Sequence, residues 1–504
     1  MRATKGGFNS IRSVFTTTRN MAAAHEKVMT IASINPNVKT MEYAVRGPIV
    51  IRAVELEKEL AAGASKPFNT VIKANIGDAH AMGQKPITFI RQVLAAVANP
   101  ELLASGNLPS DVKERVETIL GGCGGHSAGA YSQSTGVDVI RKHVAQFIER
   151  RDGGGIACDP ENVILSGGAS ESIRNVLKLF INRQGGRKVG VMVPIPQYPL
   201  YSASIEEFGL GQVGYFLNEE RNWGLDEAEL ERSYQESKKE FDTKVIVVIN
   251  PGNPTGQVLP RENIEMIIKF ANKHNLFILA DEVYQNNVYP EGSQFHSFKK
   301  VLYQMGTPYD KMELASFHSV SKGYMGECGM RGGYVEFANI DPQVFVLFKK
   351  MISAKLCSTV LGQAVIDTVV NHPREGEPSF EQWQSEKDAV LASLKERALL
   401  VQQAYGSIDG ITCNPVQGAM YAFPQVHLPQ KAIDAAKAQG QEPDFFYAMR
   451  LLESTGVCIV PGSGFGQKPG TFHFRTTILP QPAMMRDMLT RFKSFHQKFM
   501  AEFK

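Results

Sequence analysis

Polar and reactive residues follow five short apolar runs along the chain. The runs cover residues 163–165, 189–193, 245–249, 276–280 and 314–318, and the most apolar of them read as strands buried on both faces. The residues that follow them are Ala169 and Ser170, Tyr198, Asn253, Asp281 and Tyr284, and Ser319 and Lys322. Ligands of an open α/β sheet bind outside the carboxyl ends of its strands, so this set predicts one site at one sheet edge.

The set combines a lysine, an acid, a tyrosine, an aromatic platform and a glycine-rich turn. The turn, residues 166–170 (SGGAS), precedes a predicted helix, where backbone N–H groups bind anions readily. Pyridoxal 5'-phosphate needs this combination, because its aldehyde forms a Schiff base with a lysine and its ring nitrogen needs a carboxylate to stay protonated. We therefore expect this cofactor and no metal site.

Three motifs, in this order, resemble those of the class I and II pyridoxal-phosphate aminotransferases of fold type I. Residues 250–256 (NPGNPTG) match the asparagine turn of that family, residues 280–284 (ADEVY) its acid strand, and residues 319–322 (SVSK) its lysine motif. Segment 322–334 most resembles alanine aminotransferases, while enzymes that transfer glutamate nitrogen to glyoxylate carry a similar segment. The resemblance implies ping-pong transfer between L-alanine and 2-oxoglutarate, with glutamate:glyoxylate transfer as the alternative.

The resemblance also implies a role for each residue around the cofactor. Lys322 would form the Schiff base and then move the proton, and Asp281 would pair with the pyridine nitrogen. Tyr284 and Asn253 would reach the phenolic oxygen of the ring, and Tyr198 would stack on its face. Phosphate ligands would be the backbone N–H groups of Ala169 and Ser170, the Ser319 hydroxyl and the Arg331 guanidinium.

Three further residues of the resemblance lie outside the predicted sheet. Tyr131 begins residues 131–136 (YSQSTG), which match a segment whose tyrosine reaches the phosphate of the neighbouring subunit, so the enzyme would be a homodimer with shared sites. Arg475, in the alternating stretch 471–477, would bind the α-carboxylate that all amino-acid substrates share. Gly77 would touch that carboxylate through its backbone, and Asn253 would also contact the substrate.

The elements that must position these residues alternate between strand and helix from about residue 138. This alternation predicts an α/β fold with a mostly parallel sheet flanked by helices, and from about residue 376 a mixed pattern predicts a smaller α+β domain. The expected organisation is a targeting segment (1–30), an amino-terminal arm that packs with the small domain (31–75), a large cofactor-binding domain (76–375) and a small domain (376–504).

Two familiar patterns occur in settings that disfavour them. Residues 209–214 (GLGQVG) spell a dinucleotide motif, but a helix is predicted before them and a strand after them, the reverse of what such a site needs. Residues 125–129 (GHSAG) spell a nucleophile elbow, but the glycine-rich segment before them cannot supply a core strand. Serine hydrolysis through Ser127 is kept as the alternative from another reaction class.

Composition favours an ordinary soluble enzyme acting on small molecules. With 54 Lys and Arg against 51 Asp and Glu, the net charge of +3 gives no global field for nucleic acid or an anionic membrane. The six cysteines are scattered without a C-x-x-C pair, which favours reduced thiols over disulfides or zinc ligands.

The first 25 residues are rich in arginine, serine and threonine and contain no acid. This composition is typical of a mitochondrial transit peptide and predicts a matrix location. Met21 could serve as an internal start and yield a cytoplasmic form.

Overall fold

A computed structural model describes residue 27, residues 29–43 and residues 47–504; the predicted targeting segment therefore lies almost wholly outside the described residues. The strands are β1 (Ile72–Lys73), β2 (Val163–Ser166), β3 (Lys188–Ile195), β4 (Gly211–Phe216), β5 (Phe241–Ile249), β6 (Phe277–Asp281), β7 (Leu314–Ser319), β8 (Gly333–Ala338), β9 (Ile411–Thr412), β10 (Tyr421–Ala422), β11 (Gln425–Val426), β12 (Val457–Cys458), β13 (Val460–Pro461) and β14 (Phe474–Thr477).

Helices separate most of these strands. They are α1 (Pro36–Thr40), α2 (Pro48–Ala61), α3 (Thr88–Ala98), α4 (Ser110–Gly121), α5 (Asp138–Asp152), α6 (Ala169–Lys178), α7 (Leu200–Phe208), α8 (Glu227–Ser237), α9 (Arg261–Lys273), α10 (Phe298–Gln304), α11 (Pro342–Ser353), α12 (Val360–Val370), α13 (Phe380–Gly406), α14 (Gln430–Ala438), α15 (Pro443–Thr455) and α16 (Pro482–Glu502).

The largest sheet has seven strands in the order β2-β8-β7-β6-β5-β3-β4. Strands β4, β3, β5, β6 and β7 pair in parallel, and β8 pairs antiparallel with both β7 and β2, so β8 alone runs against the other six. The predicted alternation of strand and helix is therefore confirmed as an α/β layer with a mostly parallel sheet.

Both faces of the central strands are buried. Val245 and Val247 of β5 belong to one apolar core, while Ile246 and Val248 belong to another on the opposite face. Successive side chains of a strand point to opposite faces, so a continuous run of apolar residues is what a strand covered by helices on both sides requires.

Smaller strands pair beyond the large sheet. β10, β14 and β13 form a three-stranded antiparallel sheet, and β9 pairs with β11. β1, within the predicted amino-terminal arm, pairs in parallel with β12, with Ile72 opposite Val457. Helix α2 of the same arm packs against α15.

The helices after the large sheet are α11, α12 and α13. Residues 342–370 are divided between α11 and α12, and α13 begins at Phe380, where Trp383 in its first turns packs into the core. The GLGQVG segment follows helix α7 and continues into strand β4, so a helix precedes it, as predicted, and not a strand. Among the described residues, no helix is long and apolar enough to cross a membrane.

Candidate active site

The polar residues predicted from the strand ends meet at one edge of the large sheet. β2, β3, β5, β6 and β7 run in the same direction, so their carboxyl ends lie at the same edge. β8 runs the other way and begins there, which places Arg331, two residues before its first residue Gly333, at this edge as well.

These residues line one cavity of about 420 Å³. Every predicted site residue except Tyr131 contributes to its wall: Gly77, Ala169, Ser170, Tyr198, Asn253, Asp281, Tyr284, Ser319, Lys322, Arg331 and Arg475. Three clefts of larger volume, about 860, 700 and 510 Å³, lie elsewhere on the described part of the chain, and none of the predicted residues lines them. The concentration of predicted groups, and not volume, therefore distinguishes this cavity.

Lys322 extends into the cavity from the loop after β7. Its Nζ donates to the carbonyl oxygen of Gly77 at 2.9 Å and to the hydroxyl of Tyr421 at 3.5 Å. The loop is fixed on its far side, because the N–H of Gly323 donates to Asn287 Oδ1 at 3.0 Å. The amine is thus held at a defined position by two hydrogen-bond acceptors.

Asp281, the last residue of β6, forms the buried end of the cavity. Tyr201 donates its hydroxyl to Oδ2 at 2.9 Å, and the N–H of Val283 donates to Oδ1 at 3.4 Å. Burial raises the pKa of Asp281 to about 6, although both hydrogen bonds and the charge of Lys322 act to lower it. A buried carboxylate of this kind gains from a cation brought next to it.

An anion cradle lies at the start of α6. Gly168 has a φ of 97°, and a Cβ there would lie 2.3 Å from a guanidinium nitrogen of Arg331, so the turn must be glycine for Arg331 to reach it. Arg331 donates to the carbonyl of Gly167 at 2.9 Å and to Ser170 Oγ at 3.3 Å. Ser319 Oγ, which donates to the carbonyl of Gly332 at 3.1 Å, completes a set of donors suited to a phosphate.

Arg475 enters the cavity from β14 and is 2% exposed. It donates to Asn253 Oδ1 at 3.1 Å and to the carbonyl of Asn75. Its guanidinium lies over the ring of Tyr421, 4.3 Å from the centroid, and 4.7 Å from that of Phe465. Its Nε has no hydrogen-bond partner among the described residues. A buried, unneutralised arginine with a free donor is suited to a carboxylate ligand.

Three tyrosines of the site were not predicted from the sequence. Tyr421 and Tyr43 line the cavity, and Tyr201 holds Asp281 from behind. Tyr201 lies three residues after Tyr198, in the first turn of α7, and its nearness in the sequence could have pointed to it. The hydroxyls of Tyr43 and Tyr198 share a hydrogen bond 3.0 Å long. Tyr43 precedes the strands of the large sheet, and its distance along the sequence from the predicted site residues gives no sign of this contact.

Ser127 lies outside this cavity. It follows a short 3₁₀ turn, Gly124–His126, and its Oγ accepts from the N–H of Gly129 at 3.2 Å. The segment thus has the turn that its glycines predict, without the core strand that a nucleophile elbow requires.

Comparisons with known proteins agree with this geometry. The family model "Aminotransferase class I and II" matches residues 100–492. Alanine aminotransferase 2 of Xenopus tropicalis is 58% identical over 95% of this chain and 91% of its own length, and alanine aminotransferase 1 of Homo sapiens is 57% identical over 96% and 98%. A protein of Dictyostelium discoideum named probable alanine aminotransferase, mitochondrial, is 47% identical over 95% and 91%.

Solved structures show the same fold at lower identity. An aminotransferase from Escherichia coli superposes with a TM-score of 0.73 at 23% identity, over 93% of this chain and 98% of that one. An alanine aminotransferase from Pyrococcus furiosus superposes with a TM-score of 0.72 at 23% identity, over 92% and 100%. The predicted fold, a fold type I large layer with smaller α+β elements, is confirmed.

Proposed function

Because this chain belongs to the aminotransferase class I and II family, we propose that it moves the amino group between L-alanine and 2-oxoglutarate, giving pyruvate and L-glutamate in a ping-pong reaction. Relatives named alanine aminotransferase, 56–58% identical over 95–96% of the chain, support this substrate pair. The observation that carries the chemistry is the meeting of Lys322, Asp281 and Arg475 in one cavity.

The residues present fit pyridoxal 5'-phosphate, the cofactor that the family implies. The ring nitrogen would face Asp281, whose carboxylate is buried and needs a cation, and the aldehyde would face Lys322. The phosphate would lie against Ser170 and Arg331, at the glycine turn. Tyr198 would cover the ring. Tyr284 and Asn253 would bind the ring oxygen, and Ala169 and Ser319 would bind the phosphate.

Proton transfer is the work we assign to Lys322. When bound, pyridoxal phosphate supplies an electron-withdrawing ring that accepts the electron pair left behind by the α-proton. Lys322 Nζ would take that proton from the substrate Cα and then give it to the cofactor carbon that carried the aldehyde. The carbonyl of Gly77 and the hydroxyl of Tyr421 accept hydrogen bonds from the amine and keep it in place.

Substrate binding is the work we assign to Arg475. Both amino-acid and oxo-acid substrates carry an α-carboxylate, which the buried guanidinium would bind with Asn253 beside it and the backbone of Gly77 opposite. One arginine therefore serves both half-reactions.

We propose that the active form is a homodimer in which Tyr131 crosses to the phosphate of the neighbouring site. Tyr131 is 77% exposed, unusual for an aromatic residue, and does not line the cavity of its own chain. Val346 and Leu347 of α11 and Leu356 after it are also more than half exposed, which a second copy could cover. Mixing inactive Tyr131→Ala and Lys322→Ala proteins should restore activity, because a mixed dimer has one site with neither change; activity no higher than that of either parent would refute the shared site.

The mitochondrial location stays a proposal drawn from the basic, hydroxyl-rich composition of the first 25 residues. The Dictyostelium relative, named mitochondrial, agrees with it. Amino-terminal sequencing of protein from isolated mitochondria tests it, and an intact Met1 would refute cleavage.

The absorption spectrum of the purified protein tests the function directly. L-Alanine alone should remove the yellow band of the lysine-bound cofactor, and 2-oxoglutarate should restore it, because each half-reaction uses one substrate. A band that glutamate removes and glyoxylate restores, while alanine has no effect, would favour the glyoxylate alternative. A colourless protein that a serine-directed phosphonate inactivates would favour hydrolysis at Ser127.

A further inference from the structure

Tyr421 occupies the cavity although it belongs to β10, a strand of the three-stranded sheet. The segment before it is fixed to the loop that follows Tyr284. The N–H of Ala419 donates to the carbonyl of Asn287 at 3.1 Å, Tyr289 donates its hydroxyl to the carbonyl of Ala419, and Val288 forms a bridge with Gly418. The position of Tyr421 is therefore set by the loop at residues 285–289, which also holds Gly323, the residue after Lys322.

The Tyr421 side chain makes two kinds of contact. Its ring is 2% exposed and lies under the guanidinium of Arg475. Its hydroxyl accepts from Tyr284 at 3.3 Å and from Lys322 Nζ at 3.5 Å. A Cβ on Gly77 would lie 2.0 Å from this hydroxyl, so Tyr421 fills the space beside the lysine. The ring thus supports the carboxylate-binding arginine, and the hydroxyl faces the proton-carrying amine.

We propose that Tyr421 is a positioning residue of the transamination, whose hydroxyl holds the free amine of Lys322 beside the substrate Cα and whose ring holds Arg475. This inference rests on the proposed function for its consequence in turnover. The contact itself does not depend on which substrate the enzyme uses.

The charges around the Tyr421 hydroxyl agree with a direct contact between this hydroxyl and Lys322. The groups that face it are Lys322, Arg475, Tyr284 and Tyr198. Burial raises the pKa of the Tyr421 hydroxyl, but the charges of Lys322 and Arg475 and the hydrogen bonds from Tyr284 and Lys322 outweigh burial and lower that pKa below its ordinary value. In the same cavity burial raises the pKa of Tyr284 and Tyr198.

Two substitutions distinguish the contribution of the Tyr421 hydroxyl from that of its ring. Tyr421→Phe keeps the ring under Arg475 and should lower kcat for alanine about 10-fold with KM little changed, since it removes one hydrogen bond to the amine. Tyr421→Leu should also raise KM about 10-fold, because it removes the ring that Arg475 rests on. Tyr447→Phe is the matched control: Tyr447 is equally buried and shares its hydroxyl with His496 at 2.9 Å, away from the cavity.

The kinetic isotope effect with α-deuterated alanine distinguishes positioning from folding. A misplaced amine slows proton transfer, so the effect should rise in Tyr421→Phe and stay at the wild-type value in Tyr447→Phe. Wild-type kcat in Tyr421→Phe, or a lower kcat with an unchanged isotope effect, would overturn the proposal.

A tyrosinate titration of the enzyme in its pyridoxamine phosphate form, in which Lys322 carries a free amine, tests the contact without turnover when followed by ultraviolet absorption. Tyr421 should ionise below the exposed tyrosines, and this early step should be absent from Tyr421→Phe and move to higher pH in Lys322→Ala. An early step that survives Tyr421→Phe, or does not respond to loss of Lys322, would overturn the contact. If wild-type protein fails to convert alanine, the proposed function falls, while this titration still decides the contact.

Discussion

Replacing Asp281 by asparagine should stabilise the cofactor-free protein while it removes activity. The carboxyl group is 3% exposed and burial raises its pKa to about 6, against an ordinary value of 3.8. Unfolding exposes the group and restores its ordinary pKa. Between about pH 4 and pH 6 the unfolded chain therefore loses this proton before the folded one does, and the free energy of unfolding falls as pH rises.

The magnitude follows from the shift. About two pKa units correspond to about 3 kcal/mol, the full penalty being present above about pH 7 and absent below about pH 4. Asparagine has no charge to bury and can still accept from Tyr201. It can lose the weak bond from the N–H of Val283, 3.4 Å long, which is worth about 1 kcal/mol. We expect a net gain of about 2 kcal/mol at pH 7.5.

The assay is urea unfolding of cofactor-free wild-type and Asp281→Asn protein at pH 4.0 and pH 7.5. The variant should be the more stable protein at pH 7.5 and should lose that advantage at pH 4.0. With cofactor, its kcat/KM should fall about 100-fold, because a neutral amide cannot keep the ring nitrogen protonated as a charged partner does. A variant that is no more stable than wild type at pH 7.5 would refute the reasoning.

Asp444→Asn is the matched control for activity. Asp444 is buried, its pKa is raised by burial, and its Oδ2 accepts from the N–H of Ser463 at 2.6 Å. It does not line the cavity. The same chemical change there should leave kcat/KM near the wild-type value. A loss of kcat/KM as large as that of Asp281→Asn would mean that any buried Asp→Asn change lowers activity by disturbing the fold.

Three other substitutions test the site. Lys322→Ala should abolish turnover and remove the yellow band, because the amine both links the cofactor and moves the proton; stopped-flow absorbance with alanine checks this, and normal turnover would contradict it. Arg475→Lys should lower kcat/KM for alanine and for 2-oxoglutarate alike, by about 10- to 100-fold, because both lose the two-point contact; steady-state kinetics that show a loss for only one substrate would contradict a shared carboxylate site. Gly77→Ala should cost about 1–3 kcal/mol of stability and slow the alanine half-reaction, because its Cβ would lie 2.0 Å from the Tyr421 hydroxyl and 2.8 Å from Lys322 Nζ. An unchanged thermal unfolding temperature and an unchanged rate would show that the neighbouring side chains move aside without cost.

The sequence predicts most of this site because strand ends carry it. Asp281 and Asn253 follow apolar runs typical of buried strands and Lys322 follows a weaker one, and parallel strands bring their carboxyl ends to one edge. The order of the strands in the sheet does not follow from the runs, since side-chain pattern says which face is buried and not which strand is the neighbour. Arg331 reaches the same edge because β8 is antiparallel, which its sequence does not reveal.

Tyr421 could not be found in this way. It lies on a two-residue strand, too short for a periodic signal, and reaches the cavity through contacts with residues more than a hundred positions earlier. The roles assigned to the site residues and the division into four segments stay predictions, as does the position of Tyr131 across a dimer interface.

The pairing of β1 with β12 places a constraint on how the enzyme is made. Asn75 and Gly77 lie just after β1, and their carbonyls accept hydrogen bonds from Arg475 and Lys322. β1 itself pairs with a strand near the other end of the sequence, with Ile72 opposite Val457. Asn75 and Arg475 are 400 residues apart, so this wall can form only after the chain has been synthesised through Arg475. Closing so long a loop is entropically costly and slow. The nascent chain therefore carries Lys322 in an incomplete cavity until Arg475 has been synthesised, and transamination can begin only after that point.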